Sequence, residues 1–194
     1  MSCFRHNEAM NRVVILHGNG HSTGNDDWYP YIKSNLEAIG VECLTPDLPD
    51  NILARKEYWF PYFTDVLMLN SQDIVIGASS GALAILKYAE DHKIGASILV
   101  GTYYTDLGYE DERTSGYFDS PWNWNKIKAN QEWTAIFAST DDPYIPISEP
   151  QFIRDQLGSE YFEFNDRGHF GSHKKPTLVF PELLEFLKKK LEKL

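Results

Sequence analysis

Residues 75–83 read VIGASSGAL and place Ser79 in a GxSxG pattern between Gly77 and Gly81. A serine that attacks an acyl carbon is best presented on a tight turn between a strand and a helix, where glycine on either side leaves room for the packed backbone. The β-branched run DIVI precedes the motif, and the helix-compatible run ALAILKYAEDH follows it. This context favours a nucleophilic serine over the alternative, in which Ser79 only fills a glycine-rich turn.

A serine nucleophile also needs a base and an acid that orients the base. Asp141 and Asp142 follow the strand-like run TAIFAS, and His169 follows YFEFNDRG, so each comes after a predicted strand. The chain order Ser79, Asp142, His169 is the order of α/β hydrolases. In this scheme His169 takes the proton of Ser79 and Asp142 holds the imidazole. Asp141 is the alternative acid, and one of the two aspartates is expected only to form a turn.

Acyl transfer further requires two N–H donors for the oxyanion. The residue after the nucleophile supplies the first, which here is Ser80. The second comes from a loop after an early strand, and the loop His17-Gly18-Asn19-Gly20-His21 follows the run VVIL. The backbone N–H of Asn19 or of Gly20 is the candidate second donor. A tight turn without a ligand is the alternative for this loop.

The histidines offer a rival chemistry. His17 with His21, and His169 with His173, form two HxxxH spacings that could hold zinc. The first pair lies in a glycine loop rather than a helix, and neither pair belongs to an HExxH motif. We therefore expect no metal and no cofactor, and we expect surface positions for four histidines: His6, His21, His92 and His173.

The elements that must position these residues follow an alternation of strands and helices. Such alternation is typical of a parallel, doubly wound sheet, and it predicts one α/β domain over residues 1–194 with three α/β/α layers. Apolar β-rich runs predict six strands, at 12–16, 41–44, 73–76, 97–100, 134–138 and 161–164.

Helical patterns occupy 27–39, which ends before Gly40, as well as 55–69 and 181–194. Pro61 is expected to kink or split the second of these helices. The segment 103–132 is too long for an ordinary connection and is predicted to be an insertion. It carries seven aromatic rings that either pack the insertion onto the domain or line a substrate pocket: Tyr103, Tyr104, Tyr109, Tyr117, Phe118, Trp122 and Trp124.

Charge and composition narrow the classes of partner. The chain has 194 residues and a formal net charge of −10, which argues against nucleic acid or an anionic membrane as the main partner. The basic run 188–190 is interpreted as a solvated helix end. Cys3 and Cys43 lack paired spacing, so we expect no disulfide. The first residues lack an apolar signal region, and a cytoplasmic protein is expected, with nuclear entry undecided.

Three of these motifs resemble a known family. The GxSxG at Ser79, TDDPYIP at Asp142 and DRGHF at His169 are similar to the retinoblastoma-binding protein 9 family of small serine hydrolases. HGNG in the early loop and ERTSGYFDSPWNWNKIKAN in the insertion extend the similarity over nearly the whole chain. The resemblance implies a compact α/β-hydrolase fold, a Ser79, Asp142, His169 triad, and hydrolysis of small esters or amides, aminoacyl derivatives among them.

The chain departs from that family at two places. Ala78 precedes the nucleophile where the family often has histidine, a flanking position that should not abolish the chemistry. At 67–71 the sequence is LMLNS, so the LxCxE motif proposed for retinoblastoma protein binding is absent and that partner is doubtful. Leu67 and Leu69 are instead expected at the buried end of a helix.

The sequence thus predicts a monomeric serine hydrolase that acts on a small acyl substrate. A non-catalytic interaction module on a hydrolase scaffold is the alternative, because fold alone does not fix function. The insertion is too short for a large lipase lid, which favours short acyl groups over long lipids. Its aromatic rings suit an apolar acyl group, and its acidic residues could attract a cationic one: Asp106, Glu110, Asp111 and Glu112.

Overall fold

The computed structural model of the protein describes residues 12–171 and 176–193, and its centre is a six-stranded parallel sheet. The strands are β1 (Arg12–Leu16), β2 (Glu42–Leu44), β3 (Asp73–Ala78), β4 (Ala96–Val100), β5 (Trp133–Ser139) and β6 (Glu160–Phe164). They are arranged in the order β2-β1-β3-β4-β5-β6. In register, Leu16 lies beside Gly77, and Val100 lies between Ala78 and Phe137. The loops that follow these strands therefore meet at one edge of the sheet.

Helices cover both faces of this sheet. They are α1 (Tyr29–Glu37), α2 (Lys56–Pro61), α3 (Ser80–Tyr88), α4 (Glu110–Arg113), α5 (Trp124–Ala129), α6 (Ser148–Leu157) and α7 (Pro181–Leu191), and a π-helical turn, Tyr62–Val66, continues α2. Alternate strand residues point to opposite faces. Val14, Val75 and Leu99 pack with α2, α3, α5 and α6 on one face, whereas Val13 and Ile74 pack with α1 and α7 on the other. The result is the predicted three-layer α/β/α arrangement.

All six predicted strands are present, with bounds that differ by at most two residues. The inner strands have continuous apolar runs because both faces of a parallel sheet are covered, and β4 is buried at every position. Within residues 12–171 and 176–193, no helix combines the length and apolar character needed to cross a bilayer.

The helices depart further from the sequence prediction. The first begins at Tyr29 rather than at Asp27, whose positive φ of 48° is incompatible with a helix. The helix predicted over 55–69 changes at Pro61 into the π-helical turn, which is the predicted split. Helix α7 ends at Leu191. Leu67 is buried where the π-helical turn ends, and Leu69 packs partly against the same core, as expected.

Candidate active site

Ser79 lies on a strained turn between β3 and α3. Its φ of 54° and ψ of −121° are unusual for a residue with a side chain, and its N–H donates to the carbonyl of Val100 at 2.9 Å. A Cβ on Gly77 would lie 2.5 Å from the backbone N of Ala82, and one on Gly81 would lie 2.4 Å from the carbonyl oxygen of Leu16. No side chain fits at either position, so the two glycines of the motif permit this turn.

His169 and Asp142 are in direct contact. The Nδ1 of His169 lies 2.7 Å from Oδ2 of Asp142, whose side chain is only 3% exposed. The other oxygen, Oδ1, accepts from the N–H groups of Tyr144 at 2.9 Å and Ile145 at 3.1 Å. These donors fix the carboxylate, and the carboxylate in turn fixes the orientation of the imidazole.

Asp141 has a different environment from its neighbour. Its Oδ1 accepts from Oγ of Ser139 at 2.5 Å and from the N–H of Gly168 at 2.8 Å. Gly168 directly precedes His169, so Asp141 braces the loop that carries the histidine. The imidazole itself contacts Asp142.

Ser79 and His169 line one cavity of about 340 Å³ at the carboxyl edge of the sheet. Within residues 12–171 and 176–193, no hydrogen bond joins Ser79 Oγ to the imidazole. In enzymes without bound substrate this bond is often long and tightens only in the complex. The cavity brings the serine and the histidine–aspartate pair together with the glycine loop after β1.

The glycine loop is held by His17, which is 1% exposed. Its Nδ1 lies 2.7 Å from the carbonyl oxygen of Gly18, and its Nε2 accepts from the N–H of Leu48 at 2.8 Å. Both ring nitrogens are therefore occupied, and the imidazole is neutral with the proton on Nδ1. Burial lowers the pKa of His17, which agrees with this neutral form.

The two candidate oxyanion donors of this loop differ. The N–H of Gly20 donates to the carbonyl of Ile52 at 3.2 Å. The N–H of Asn19 is in no hydrogen bond with the described part of the chain, and the Asn19 carbonyl accepts from the hydroxyl of Ser22 at 2.9 Å. Ser80 opens α3, where backbone N–H groups have no partner within the helix. Asn19 and Ser80 thus remain the candidate donors, whereas the N–H of Gly20 is engaged with Ile52.

A chain of buried and half-buried side chains connects these two candidate donors. The hydroxyl of Tyr103 lies 3.2 Å from Oγ of Ser80 and donates to Oε2 of Glu112 at 2.7 Å. Oε1 of Glu112 accepts from Nδ2 of Asn19 at 3.3 Å. The insertion is thereby tied to both sides of the cavity. Sequence patterns gave no reason to single out Glu112 within the run EDER, since only the contact with Tyr103 and Asn19 distinguishes it.

The aromatic rings of the insertion serve mostly for packing. Tyr117 is fully buried and donates to the carbonyl of Ala54 at 2.8 Å. Trp122 and Trp124 stack with ring centroids 5.3 Å apart. Tyr103 and Tyr109 line the cavity. The rings of the insertion are therefore divided between packing and the lining of the cavity.

The zinc alternative finds no support in the described residues. In residues 12–171 and 176–193, no three His, Cys, Asp or Glu side chains are grouped as metal ligands. His17 uses both ring nitrogens in other contacts. His6 and His173 lie outside the described residues, as does Cys3, whereas Cys43 is buried with a free thiol.

Comparison with known proteins is consistent with this geometry. A family model described as "Serine hydrolase" matches residues 13–187. Serine hydrolase RBBP9 of Rattus norvegicus is 43% identical over 182 residues, covering 93% of this chain and 95% of the rat protein. The YdeN protein of Bacillus subtilis is 30% identical over 171 residues, covering 82% and 85% of the two chains.

Solved structures share the fold. The crystal structure of the ydeN gene product from B. subtilis has a TM-score of 0.83 at 24% identity and covers 92% of this chain and 97% of its own. Est1E from Butyrivibrio proteoclasticus, solved with bound ferulic acid, has a TM-score of 0.67 at 14% identity, with coverage of 97% and 89%. At these identities the likeness concerns the fold alone.

Proposed function

Because the chain belongs to the serine hydrolase family, we propose that it hydrolyses small esters or amides through a triad of Ser79, His169 and Asp142. The observation that carries this proposal is the 2.7 Å contact between His169 and Asp142 in the cavity that Ser79 also lines. A histidine oriented by a buried carboxylate is the base that a serine nucleophile requires.

The chemistry follows from the positions of these groups. Nε2 of His169 takes the Ser79 proton while Oγ attacks the acyl carbon, and the imidazolium returns that proton to the leaving alcohol or amine. Water then attacks the acyl-enzyme with His169 again as the base. Asp142 stabilises the imidazolium and keeps Nε2 directed at the nucleophile.

The N–H groups of Ser80 and Asn19 are the proposed oxyanion hole. Ser80 is the first residue of α3, so its N–H makes no hydrogen bond within the helix. It can therefore bind the tetrahedral oxygen without first breaking an intrahelical hydrogen bond. Asn19 is preferred to Gly20 because the N–H of Gly20 already donates to the Ile52 carbonyl.

Cavity size supports a small acyl group. A volume of about 340 Å³ is at the low end for ligand pockets. Leu107, Tyr109 and Ile145 give it an apolar wall. Short acyl groups, aminoacyl groups among them, suit such a cavity better than long lipid chains.

Hydrolysis of a graded series of p-nitrophenyl esters tests the proposal. We expect acetate and butyrate to be cleaved faster than palmitate, and Ser79→Ala or His169→Ala to lower kcat by at least about 10³-fold. Asp142→Asn should cost about 10³- to 10⁴-fold because it leaves the imidazole in the wrong tautomer. Asp141→Asn is the matched comparison and should cost less, since Asp141 contacts the loop and not the ring.

Three results would contradict the proposal in whole or in part. Ester cleavage that survives Ser79→Ala would remove the serine from the reaction. A folded protein that cleaves none of a broad ester and amide panel would favour the interaction module instead. Palmitate cleaved faster than butyrate would leave the triad in place but reject the small substrate.

A further inference from the structure

The walls of the active-site cavity carry negative charge. Asp27, Asp111 and Glu112 line it, and no lysine or arginine of the described residues does so. Asp27 accepts from the backbone N–H of Thr177 at 3.1 Å, and Asp111 is exposed to solvent. Glu112 differs from both because it is half-buried and accepts a hydrogen bond from Tyr103. The hydroxyl of Tyr103 also contacts Ser80, the residue after the nucleophile.

Among the described residues, Glu112 has neutral hydrogen-bond donors but no cationic partner. Tyr103 and Asn19 each give it one hydrogen bond, whereas a carboxylate has about four lone-pair sites. The adjacent Arg113 pairs with Asp106 and Glu110 instead, and the other ion pairs of the described residues do not include Glu112. Partly buried carboxylates are usually paired with a positive group. This one has room for such a partner on its cavity side.

Burial raises the pKa of the Glu112 carboxyl, and the negative charge of Asp111 adds to this, while the hydrogen bonds from Tyr103 and Asn19 oppose it. A cation in the cavity would offset both the burial and the repulsion. It would also neutralise a charge that otherwise opposes the negative tetrahedral intermediate. The electrostatics thus favour a positively charged substrate twice, in binding and in the reaction.

We propose that Glu112 is a specificity-determining residue, which binds an ammonium group of the substrate close to the scissile carbonyl. The hydrogen bonds of Glu112 reach Asn19 directly and Ser80 through Tyr103, and these are the two residues proposed to donate their N–H groups to the reacting carbonyl oxygen. A cation bound here is therefore within a few bonds of that carbonyl, as in an α-amino ester or amide. This inference rests on the proposed serine hydrolase activity.

The test uses two esters that differ only in the charged group: leucine methyl ester and methyl 4-methylpentanoate, compared below pH 7, where an α-amino group is protonated. The wild-type protein should prefer the leucine ester in kcat/KM by roughly 10- to 100-fold, the usual worth of a charge-assisted hydrogen bond. Glu112→Gln should remove most of this preference by slowing the leucine ester at least about tenfold more than the neutral ester. The glutamine keeps an acceptor for Tyr103, and thermal unfolding of the variant checks that it is folded.

Glu110→Gln is the matched control. Glu110 lies on the same short helix, its side chain is 70% exposed, and it pairs with Arg113 outside the cavity. Its substitution removes the same charge and should leave the preference intact. If Glu112→Gln slows both esters equally, Glu112 only positions the oxyanion loop and the inference is wrong. Equal wild-type rates for the two esters also overturn it.

Failure of the proposed function has a separate signature. If the wild-type protein cleaves neither ester, the cation site is tested by calorimetric binding of 3-methylbutylamine. Affinity in the wild type that Glu112→Gln lowers at least about tenfold supports the site, since loss of a charge-assisted hydrogen bond has that size. The same affinity in both proteins, or none in either, rejects it.

Discussion

At the scale of single residues, the site depends on the absence of side chains as much as on reactive groups. Gly101 follows β4 with a φ of +57°, and a Cβ there would lie 3.1 Å from Cε1 and 3.2 Å from Nδ1 of His169. Asp142 holds the imidazole through Nδ1, and the bare backbone of Gly101 leaves room for the ring beside it. The position of His169 is thus fixed by contact with a residue that sequence patterns did not identify.

Gly101→Ala should therefore reduce catalysis more than stability. The new methyl group would push the imidazole away from the nucleophile, and a displacement of about 1 Å can cost on the order of 100-fold in rate. Steady-state kcat and the melting temperature measure the two effects separately.

Gly40→Ala is the control for the backbone. Gly40 has a φ of +84°, and no atom lies within 4 Å of an added Cβ. Alanine at this position therefore adopts the same strained left-handed backbone without contacting the site. We expect similar losses of melting temperature in both variants and a loss of kcat in Gly101→Ala only. Normal kcat in folded Gly101→Ala would refute the role given to this contact.

At the scale of elements, five strand ends deliver the site. The loop after β1 carries Asn19, β3 leads into Ser79, β4 into Gly101, β5 into Asp142 and β6 into His169. Ligands bind in open α/β sheets at this edge. Parallel pairing places the carboxyl ends of all the strands at one edge of the sheet. Because Ser79, Asp142 and His169 each follow a strand, the sequence was enough to predict that they lie close together.

The strands could be predicted because burial on both faces leaves continuous apolar runs, as in the residues IVI of β3. Helix α6 was not foreseen. Only a minority of its residues are buried, among them Ile153 and Leu157, and its end is marked by the left-handed Gly158. The start of α1 was missed because a positive φ at Asp27 depends on its tertiary contacts, which local propensity does not encode.

The candidate site could be predicted only in part for a similar reason. GxSxG is a local pattern that can be recognised without the fold. A Cβ on Gly77 would meet the nearby backbone of Ala82, and a Cβ on Gly81 would meet the end of the neighbouring strand β1. The contact of Glu112 with Asn19 joins residues 93 positions apart. No spacing in the sequence signals such a pair, so the fold alone shows which acidic residues of the insertion line the cavity.

The loop after β1 should be sensitive to acid through His17. Burial lowers the pKa of His17, so the folded state binds its proton more weakly than the unfolded state, whose histidine titrates near about 6.5. The stabilisation is fully present above that pH and is lost as the pH falls through the lowered value in the folded state. Protonation of Nε2 would also break its bond with the N–H of Leu48.

Urea unfolding of the wild type and of His17→Gln between pH 5 and 8 checks this effect. Carboxylates titrate in both proteins, so the difference between the two curves isolates His17. We expect the wild type to lose stability toward acid more steeply than His17→Gln does. Parallel curves would show that His17 is protonated equally in the folded and unfolded states.

At the scale of the whole molecule, the fold and the charge act together. The serine hydrolase family match extends over residues 13–187 and so takes in both layers of helices and the insertion. The net charge of −10 gives the surface a negative field, and the cavity walls have the same sign. Such a field raises the local concentration of cations at the site. The charge of the whole molecule therefore supports the proposed preference for a positively charged small substrate.

Covalent labelling tests most directly whether Ser79 is the nucleophile and His169 activates it. The purified protein is treated with a fluorophosphonate probe, with and without EDTA, and the modified peptide is located by mass spectrometry. Ser34→Ala, on the exposed side of α1, is the control variant. We expect one adduct on Ser79 that EDTA and Ser34→Ala leave unchanged and that Ser79→Ala and His169→Ala abolish. Absence of labelling in the folded protein, or an adduct on another residue, would contradict the account.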